Sequence, residues 1–258
     1  MNNAPIGIYD SGLGGLTVWR EVRRALPGES LVYLGDGKNC PYGSRPREEI
    51  CRLADDAVGT LVDRGCKLIV VACNTATAAA IGFLRRKYAT IPIVGMEPAV
   101  KPACLATRSG VVGVLATERS LDGELFRRTA ARYGRGVQVI TAPGRGFVEL
   151  VENDREQTAE AEACVRRAVE GMLSAGADQI VLGCTHYPFL LPTLKRVVAG
   201  RGVTIVDPSP AVANRVGQLL DEFGLHATPD RLPAYEFLTF ADEAYRQHLA
   251  AKALHSLR

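Results

Sequence analysis

The sequence lacks the features that would assign the chain to a membrane, a secretory route or a nucleic acid. No uninterrupted apolar run approaches the roughly 20 residues of a membrane-spanning helix. The N-terminal stretch MNNAPIGIYDSG has no basic region followed by an apolar segment, so it does not resemble a secretory signal. The 31 Lys and Arg residues nearly balance the 28 Asp and Glu residues, and the net charge of +3 does not indicate a nucleic-acid or membrane partner. We therefore expect a cytoplasmic protein.

Cysteine is present but lacks the patterns of a disulfide framework or a metal site. The seven cysteines are odd in number and none forms a CxxC pair, which argues against structural disulfides and zinc. In a reducing compartment most of them are expected to be small buried side chains, and one or two are candidates for catalysis. We therefore expect no bound metal.

Nucleotide and hydrolase signatures are missing as well. The glycines between positions 12 and 15 suggest a phosphate loop, but Thr17 stands where the dinucleotide fingerprint requires its third glycine. GxxxxGK[ST] and GxSxG do not occur either. These glycines instead favour a close approach of backbone N–H groups to a small anion such as a carboxylate.

Short apolar runs alternate with amphipathic helical patterns along most of the chain. Most of the runs are continuous rather than alternating, which is typical of parallel strands covered on both faces. The helix expected from Pro46 carries an apolar stripe as far as Val62, and a second such stripe runs from Ala161 to Leu173. Strand–helix alternation of this kind predicts an α/β fold with mainly parallel sheets. The predicted strands are Ile6–Asp10, Leu31–Gly35, Lys67–Cys73, Ile91–Met96, Val111–Thr117, Val137–Ala142, Gln179–Cys184, Val203–Asp207 and Tyr235–Phe240.

The sequence contains an internal repeat of a short strand-and-cysteine pattern. An apolar run ends in Cys73 and small polar residues, and a matching run ends in Cys184 about half the chain later. Upstream of each lies another apolar strand with a polar end, at Asp10 and at Thr117 respectively. We therefore expect two similar α/β domains related by a pseudo-twofold axis, with the active site in the cleft between them, because ligands of such folds bind beyond the carboxyl ends of strands.

The two strand-end cysteines suggest proton transfer on both sides of one carbon. A cysteine at the carboxyl end of a strand that opens a helix meets backbone N–H groups and the positive end of the helix dipole, which stabilise a thiolate. Inversion of a stereocentre needs a base on one face and an acid on the other, and two thiols near neutral pH suit both roles. The alternative is that Cys73 and Cys184 are buried structural residues.

Neighbouring polar residues favour the catalytic interpretation. Asp10 ends the first strand, where its carboxylate would assist Cys73, and His186 follows Cys184 closely enough to assist it. The turn from Asp36 to Gly43 follows the second strand and places Tyr42 where it would touch a ligand. A simple strand-to-helix connector remains the alternative for this turn.

Five segments then resemble the glutamate racemase family, within the aspartate/glutamate racemase superfamily. The resemblance runs in order over almost the whole chain, and the two cysteine motifs together are highly specific. It implies a cytoplasmic isomerase that supplies D-glutamate for peptidoglycan without pyridoxal phosphate or metal, and we expect a homodimer. The segments are DSGLGGLTV from Asp10, PYG from Pro41, CNTATA from Cys73, GCTHYP from Gly183 and VDP from Val206.

The resemblance also implies roles for individual residues. Cys73 and Cys184 would each serve one face of the substrate, assisted by Asp10, His186 and Glu152, although Glu149 is left open as an alternative to Glu152. The second domain would be inserted into the first, which gives 1–97 plus 207–258 and 98–206. The implied substrate-binding residues are Asp10, Ser11, Tyr42, Gly43, Asn74, Thr75, Thr117, Thr185 and His186.

Three other functions compete with glutamate racemisation. An aspartate racemase or another two-thiol racemase is the nearest alternative, and the two cysteine motifs favour glutamate over it. A related decarboxylase would need only one of the cysteines. A non-catalytic module that binds small acids would not require a thiol at both strand ends.

Overall fold

A computed structural model of the chain describes residues 1–121, 124–229 and 231–255. The described residues fall into two compact units, Met1–Met96 with the segment from Ser209 onward, and Glu97–Pro208. They form nine strands, each within two residues of its predicted ends. These are β1 (Ile6–Asp10), β2 (Leu31–Gly35), β3 (Leu68–Val71), β4 (Ile93–Gly95), β5 (Val111–Ala116), β6 (Gln138–Pro143), β7 (Gln179–Gly183), β8 (Thr204–Val206) and β9 (Tyr235–Thr239).

Helices connect the strands. The predicted helix at Pro46 begins one residue later, since Pro46 is the residue before its first turn, and its apolar stripe from Ile50 to Leu61 is buried. The second predicted stripe, from Ala161 to Leu173, lies in the helix Ala159–Ser174. The helices are α1 (Leu16–Ala25), α2 (Arg47–Asp63), α3 (Asn74–Lys87), α4 (Val100–Ala106), α5 (Glu118–Leu121), α6 (Glu124–Tyr133), α7 (Phe147–Glu152), α8 (Ala159–Ser174), α9 (Leu191–Val197), α10 (Ser209–Phe223) and α11 (Glu243–His255), with a 3-10 helix at Tyr187–Leu190.

The first unit is built on a five-stranded sheet in the order β4-β3-β1-β2-β9. All four pairings are parallel, and Asp10 lies opposite Gly35 while Tyr9 lies opposite Val71. Strands β1, β2 and β3 are buried along their whole length, which explains their continuous apolar sequences. The register aligns the carboxyl ends of the three central strands.

The second unit has a four-stranded sheet in the order β6-β5-β7-β8, again with parallel pairings. Ala116 lies opposite Gly183, so the residues that follow β5 and β7 emerge at the same edge. Strand β6 is only partly covered, as expected at a sheet edge. The predicted α/β fold with two mainly parallel sheets is confirmed.

All seven cysteines are free thiols, and Cys73 and Cys184 are among the four buried ones. Each thiol belongs to the hydrophobic core of its own unit. Cys73 packs within the cluster that α2 and α3 form on the first sheet, and Cys184 within the cluster under α7, α8 and α9. Among the described helices, none is long and apolar enough to cross a membrane.

A buried ion pair lies at the amino end of the first sheet. Lys67 Nζ is 2.6 Å from Glu29 Oε2, and the two side chains are only 1% and 4% exposed. The ammonium also donates to the carbonyl of Asn2, and the other carboxylate oxygen accepts the backbone N–H of Ala227. Burial of a charge is tolerated only when its partners are present, so this cluster holds the chain start and the segment after α10 to the sheet.

Replacing one member of this pair should destabilise the protein strongly. Glu29→Gln leaves the Lys67 ammonium buried without its counter-ion, and we expect a loss of about 3–5 kcal/mol in the free energy of unfolding, measured with urea. The control is Glu236→Gln, which breaks the half-exposed pair with Arg64 and should cost less than about 1 kcal/mol. Equal losses of unfolding free energy in the two variants would show that the buried pair stabilises the protein no more than the half-exposed pair does.

Candidate active site

Three strand ends meet at the carboxyl edge of the first sheet. The backbone N–H of Asp36 donates to the carbonyl of Asp10 at 3.0 Å, and the N–H of Ala72 donates to the carbonyl of Tyr9 at 2.8 Å. These bonds continue the sheet pairing one residue beyond β2 and β3. They place Asp10, Asp36 and Cys73 side by side, although the three are far apart in the sequence.

Cys73 caps the N-terminus of α3. It has an extended backbone conformation, and its Sγ accepts a hydrogen bond from the N–H of Ala76 at 3.4 Å. The thiol also lies 3.5 Å from the hydroxyl of Ser11, to which it donates. The N–H donor and the positive end of the helix dipole both favour a thiolate, and the predicted setting of Cys73 is therefore present.

The two residues after Cys73 are buried at the start of the same helix. The side-chain N–H of Asn74 donates to the carbonyl of Met96 at 3.5 Å. Its Oδ1 is buried and has no hydrogen-bond partner among the described residues. A buried acceptor without a partner costs roughly 1–3 kcal/mol, which is recovered if a donor binds there. Asn74 is therefore suited to receive a ligand ammonium or hydroxyl group, and Thr75 lies buried beside it.

Asp10 is fully buried and is surrounded by the glycine-rich turn. Its carboxylate accepts the backbone N–H of Gly12 at 3.0 Å. A Cβ added at Gly15 would lie 2.5 Å from the Cβ of Asp10, so only glycine fits there. The small anion that the N–H of Gly12 approaches is thus the carboxylate of Asp10 itself.

Tyr42 is buried with its hydroxyl directed into the first unit. This hydroxyl donates to Asp36 Oδ2 at 2.6 Å and accepts from the hydroxyl of Tyr9 at 2.8 Å. The side-chain oxygen is therefore occupied by the protein, and a contact of Tyr42 or Gly43 with a ligand would use the backbone. Asp36 and Tyr9 were not predicted as site residues, although the position of Asp36 just after a buried strand resembles that of Asp10.

Cys184 follows β7 in the second unit, but it does not open an α-helix. The N–H of Tyr187 bonds to the carbonyl of Cys184 at 3.1 Å, and a 3-10 helix begins there. Pro188 has no N–H to bond the same carbonyl in the α-helical pattern, which explains the tighter turn. A helix therefore follows Cys184 as it follows Cys73, but it is a 3-10 helix and Cys184 is not its N-cap residue.

A histidine and a carboxylate support Cys184 instead. His186 Nδ1 lies 3.8 Å from the Cys184 sulfur, and His186 Nε2 lies 2.5 Å from Glu152 Oε1. His186 is buried, and Glu152 is at the last position of α7. A carboxylate that holds one ring nitrogen fixes the tautomer and orientation of the other, so the imidazole can exchange a proton with the thiol. Glu149 is exposed on the preceding turn, and it is Glu152 that contacts His186.

The other predicted residues of the second unit lie at the same edge of its sheet. Thr185 is buried next to Cys184, while Thr117 is half-buried and its hydroxyl caps α5 through the N–H of Ser120.

Tyr187 was not predicted as a site residue. Burial, and then the nearby Cys184, raise the pKa of its phenol well above the ordinary value, so the phenol is neutral at physiological pH. Within either unit alone, the described residues gather no set of three potential metal ligands.

Comparisons with known proteins agree with this geometry. The family model described as Asp/Glu/Hydantoin racemase matches residues 14–216. A glutamate racemase of Roseiflexus sp. is 53% identical over 86% of this chain and 81% of its own length, and one of Herpetosiphon aurantiacus is 46% identical over 95% and 96%.

Solved structures of glutamate racemases share the fold. Isoform RacE1 from Bacillus anthracis superposes with a TM-score of 0.86 at 31% identity and covers 99% of this chain and 95% of its own. The enzyme from Escherichia coli, solved with L-glutamate and the activator UDP-MurNAc-Ala, gives a TM-score of 0.85 at 31% identity, covering 98% and 95%. Because the family model spans well over half of the sequence, the chain belongs to the Asp/Glu/Hydantoin racemase family.

Proposed function

We propose that the chain is a glutamate racemase that interconverts L- and D-glutamate with Cys73 and Cys184 as its two acid/base groups. The observation that carries the proposal is a buried thiol at the carboxyl end of a parallel strand in each unit. The substrate is inferred from relatives named glutamate racemase, among them one that is 53% identical to this chain. It is supported by the racemase of Escherichia coli, whose structure contains L-glutamate.

The two thiols carry out both proton transfers at the α-carbon. One thiolate removes the α-proton, so that an S–H bond forms while the electron pair of the C–H bond stays on the α-carbon as a carbanion. The other thiol delivers its proton to the opposite face, and its S–H pair remains on sulfur. The two thiols have then exchanged protonation states, which the reverse reaction requires.

The two thiols receive different assistance. The N–H of Ala76 and the dipole of α3 stabilise the thiolate of Cys73, with Ser11 and Asp10 close by. On the other side, His186 accepts the proton of Cys184, and Glu152 stabilises the resulting imidazolium. In both cases the assisting group is held in place by hydrogen bonds before substrate arrives, which lowers the reorganisation that the reaction requires.

Substrate binding is assigned to the polar residues around the two thiols. The unpartnered Oδ1 of Asn74 is suited to the α-ammonium group. Because the hydroxyl of Tyr42 is occupied, we assign Tyr42 and Gly43 to substrate through their backbone N–H groups. The proposed substrate-binding residues are Asp10, Ser11, Tyr42, Gly43, Asn74, Thr75, Thr117, Thr185 and His186.

The biological setting follows from the same proposal. We place the enzyme in the cytoplasm, where thiols remain reduced, and assign it to the supply of D-glutamate for peptidoglycan. We further propose a homodimer, and domains that comprise 1–97 with 207–258 and 98–206. Racemisation of aspartate, or of another amino acid, is the alternative that the first assay below distinguishes.

The purified protein should racemise glutamate without any added cofactor. Circular dichroism of L-glutamate should decay to zero, whereas L-aspartate should remain unchanged over the same time. In deuterium oxide the product should carry deuterium at its α-carbon, because the thiols exchange with solvent. Prior dialysis against a chelator, or treatment with hydroxylamine to trap pyridoxal phosphate, should leave the rate intact. Faster decay with aspartate would favour the alternative substrate.

Each cysteine should serve one enantiomer. Cys73→Ser and Cys184→Ser should both lower racemisation by roughly 10²-fold or more, because a serine hydroxyl is a poor acid and base at neutral pH. Elimination from an analogue with a β-leaving group needs one base only, so each variant should retain elimination from one enantiomer, in opposite senses. Cys51→Ser is the control, since its half-buried thiol bonds to a helix carbonyl that a hydroxyl also reaches. Racemisation near the wild-type rate in either strand-end variant would disprove the mechanism.

Glu152 and Glu149 provide a matched pair on α7. Glu152→Gln should slow proton abstraction by Cys184 about 10- to 100-fold, since a hydrogen bond to a charged group is worth roughly 1.5–3 kcal/mol. Glu149→Gln changes an exposed side chain and should leave the rate unchanged. The measurement is the elimination rate for each enantiomer of the analogue. Equal effects on both enantiomers would contradict a role of Glu152 through His186.

A further inference from the structure

Three buried side chains form a hydrogen-bonded chain that extends into the hydrophobic cluster containing Cys73. The hydroxyl of Tyr9 donates to the hydroxyl of Tyr42 at 2.8 Å, and that hydroxyl donates to Asp36 Oδ2 at 2.6 Å. The three residues are at most 1% exposed. Tyr9, Tyr42 and Cys73 belong to the same packed cluster on the first sheet. We call this chain of Asp36, Tyr42 and Tyr9 the phenol relay.

Asp36 determines which way the O–H bonds of Tyr42 and Tyr9 point. A carboxylate accepts hydrogen bonds only, and the amide N–H₂ of Asn39 also donates to both of its oxygens, at 3.0 Å each. The proton of Tyr42 must therefore point towards Asp36, which leaves the oxygen of Tyr42 to accept the proton of Tyr9. Each phenol has one proton. Both protons are thus directed to oxygen acceptors within the relay.

Both phenols keep these protons throughout the pH range in which a thiol titrates. Burial, and then the neighbouring Tyr42 and Cys73, raise the pKa of Tyr9 well above its ordinary value. Burial, and then Asp36, raise the pKa of Tyr42 in the same direction. Two neutral hydroxyl donors therefore belong to side chains of the Cys73 cluster, and their protons point to oxygen acceptors within the relay.

We propose that Asp36 is a positioning residue that holds the two phenolic protons away from Cys73 and so keeps its thiolate a strong base. The proposal rests on the proposed racemase function, in which Cys73 must remove a weakly acidic α-proton. A phenol that donated to the thiolate would stabilise its charged form and weaken it as a base. The carboxylate of Asp36 prevents this because it is the stronger acceptor and is already engaged.

The other titratable groups of this region in the described residues are Asp10, the thiol of Cys66 in the same cluster, and Cys51 and Tyr88 packed against that cluster. Asp10 ends β1, whereas Asp36 and Tyr42 belong to the segment after β2 and Tyr9 lies within β1. The residues that α2 contributes to the same cluster are apolar. Asp10 bonds to the backbone of Gly12 and is unchanged in every variant below. A shift in the titration of Cys73 among these variants therefore reports on the phenol relay.

The test measures how alkylation of Cys73 depends on pH. The full-length protein is treated briefly with iodoacetamide between pH 5 and pH 10, and peptide mass spectrometry quantifies the Cys73 and Cys184 peptides separately. The plateau rate reports access to the thiol, whereas the midpoint reports its ionisation. Asp36→Asn removes a negative charge and weakens the acceptor for Tyr42, so the Cys73 midpoint should fall by about one pH unit. The Cys184 midpoint should not change.

Two tyrosine variants separate this role from a merely structural one. Tyr42→Phe deprives the hydroxyl of Tyr9 of its acceptor, and its released proton should lower the Cys73 midpoint. Tyr9→Phe/Tyr42→Phe leaves no phenolic proton to donate, so the midpoint should return towards the wild-type value although the packing is altered further. Tyr88→Phe is the control, because it removes a phenol–aspartate bond to Asp55 at the surface of the same unit. It should leave both midpoints unchanged.

Two results would overturn the proposal. One is an equal Cys73 midpoint in Tyr42→Phe and the double variant, and the other is an unchanged or raised midpoint in Asp36→Asn. If Asp36→Asn does not fold, the comparison of Tyr42→Phe with the double variant still tests the proposal. Alkylation needs no turnover, so its result is independent of whether wild-type protein racemises glutamate. A failed racemase assay would therefore reject the proposed function, whereas unshifted midpoints would reject only the role of Asp36.

Discussion

The parallel register of β1, β2 and β3 is the constraint on which the first unit's site depends. Backbone bonds from Asp36 to Asp10 and from Ala72 to Tyr9 align three strand ends. Cys73, Asp10 and Asp36 then share one edge although they come from separate parts of the sequence. A slip of one residue would turn every side chain of a strand to the other face of the sheet, so the apolar contacts on both faces keep the edge in place.

The two buried thiols have different polar partners. Each thiol lies in an apolar cluster of its own unit. A backbone N–H at the helix start donates to Cys73, whereas an imidazole held by Glu152 lies beside Cys184. One thiol is thus supported by fixed dipoles and the other by a group that can take a proton. A racemase needs its two thiols in different protonation states, and unlike supports are compatible with that need.

Strand positions were predictable because burial on both faces leaves a continuous apolar run, and the position of Cys73 at the start of α3 followed from the same pattern. The repeated strand-and-cysteine pattern did not predict the 3-10 helix after Cys184, because Pro188, which lies beyond the repeated residues, changes the turn. Glu149 and Glu152 could not be separated by sequence, because only packing decides which carboxylate reaches His186. The side-chain direction of Tyr42 could not be predicted either, since it depends on the hydrogen bond to Asp36.

Asp36 illustrates why strand-end carboxylates resist assignment from sequence. Asp10 and Asp36 both follow buried strands, yet their partners differ in kind. Asp10 accepts a backbone N–H from a glycine-rich turn, whereas Asp36 accepts side-chain donors from its own loop. The side-chain donors of Asp36 engage both of its carboxylate oxygens. Such an arrangement suits a residue that orients its neighbours, because each donor is held by a fixed acceptor.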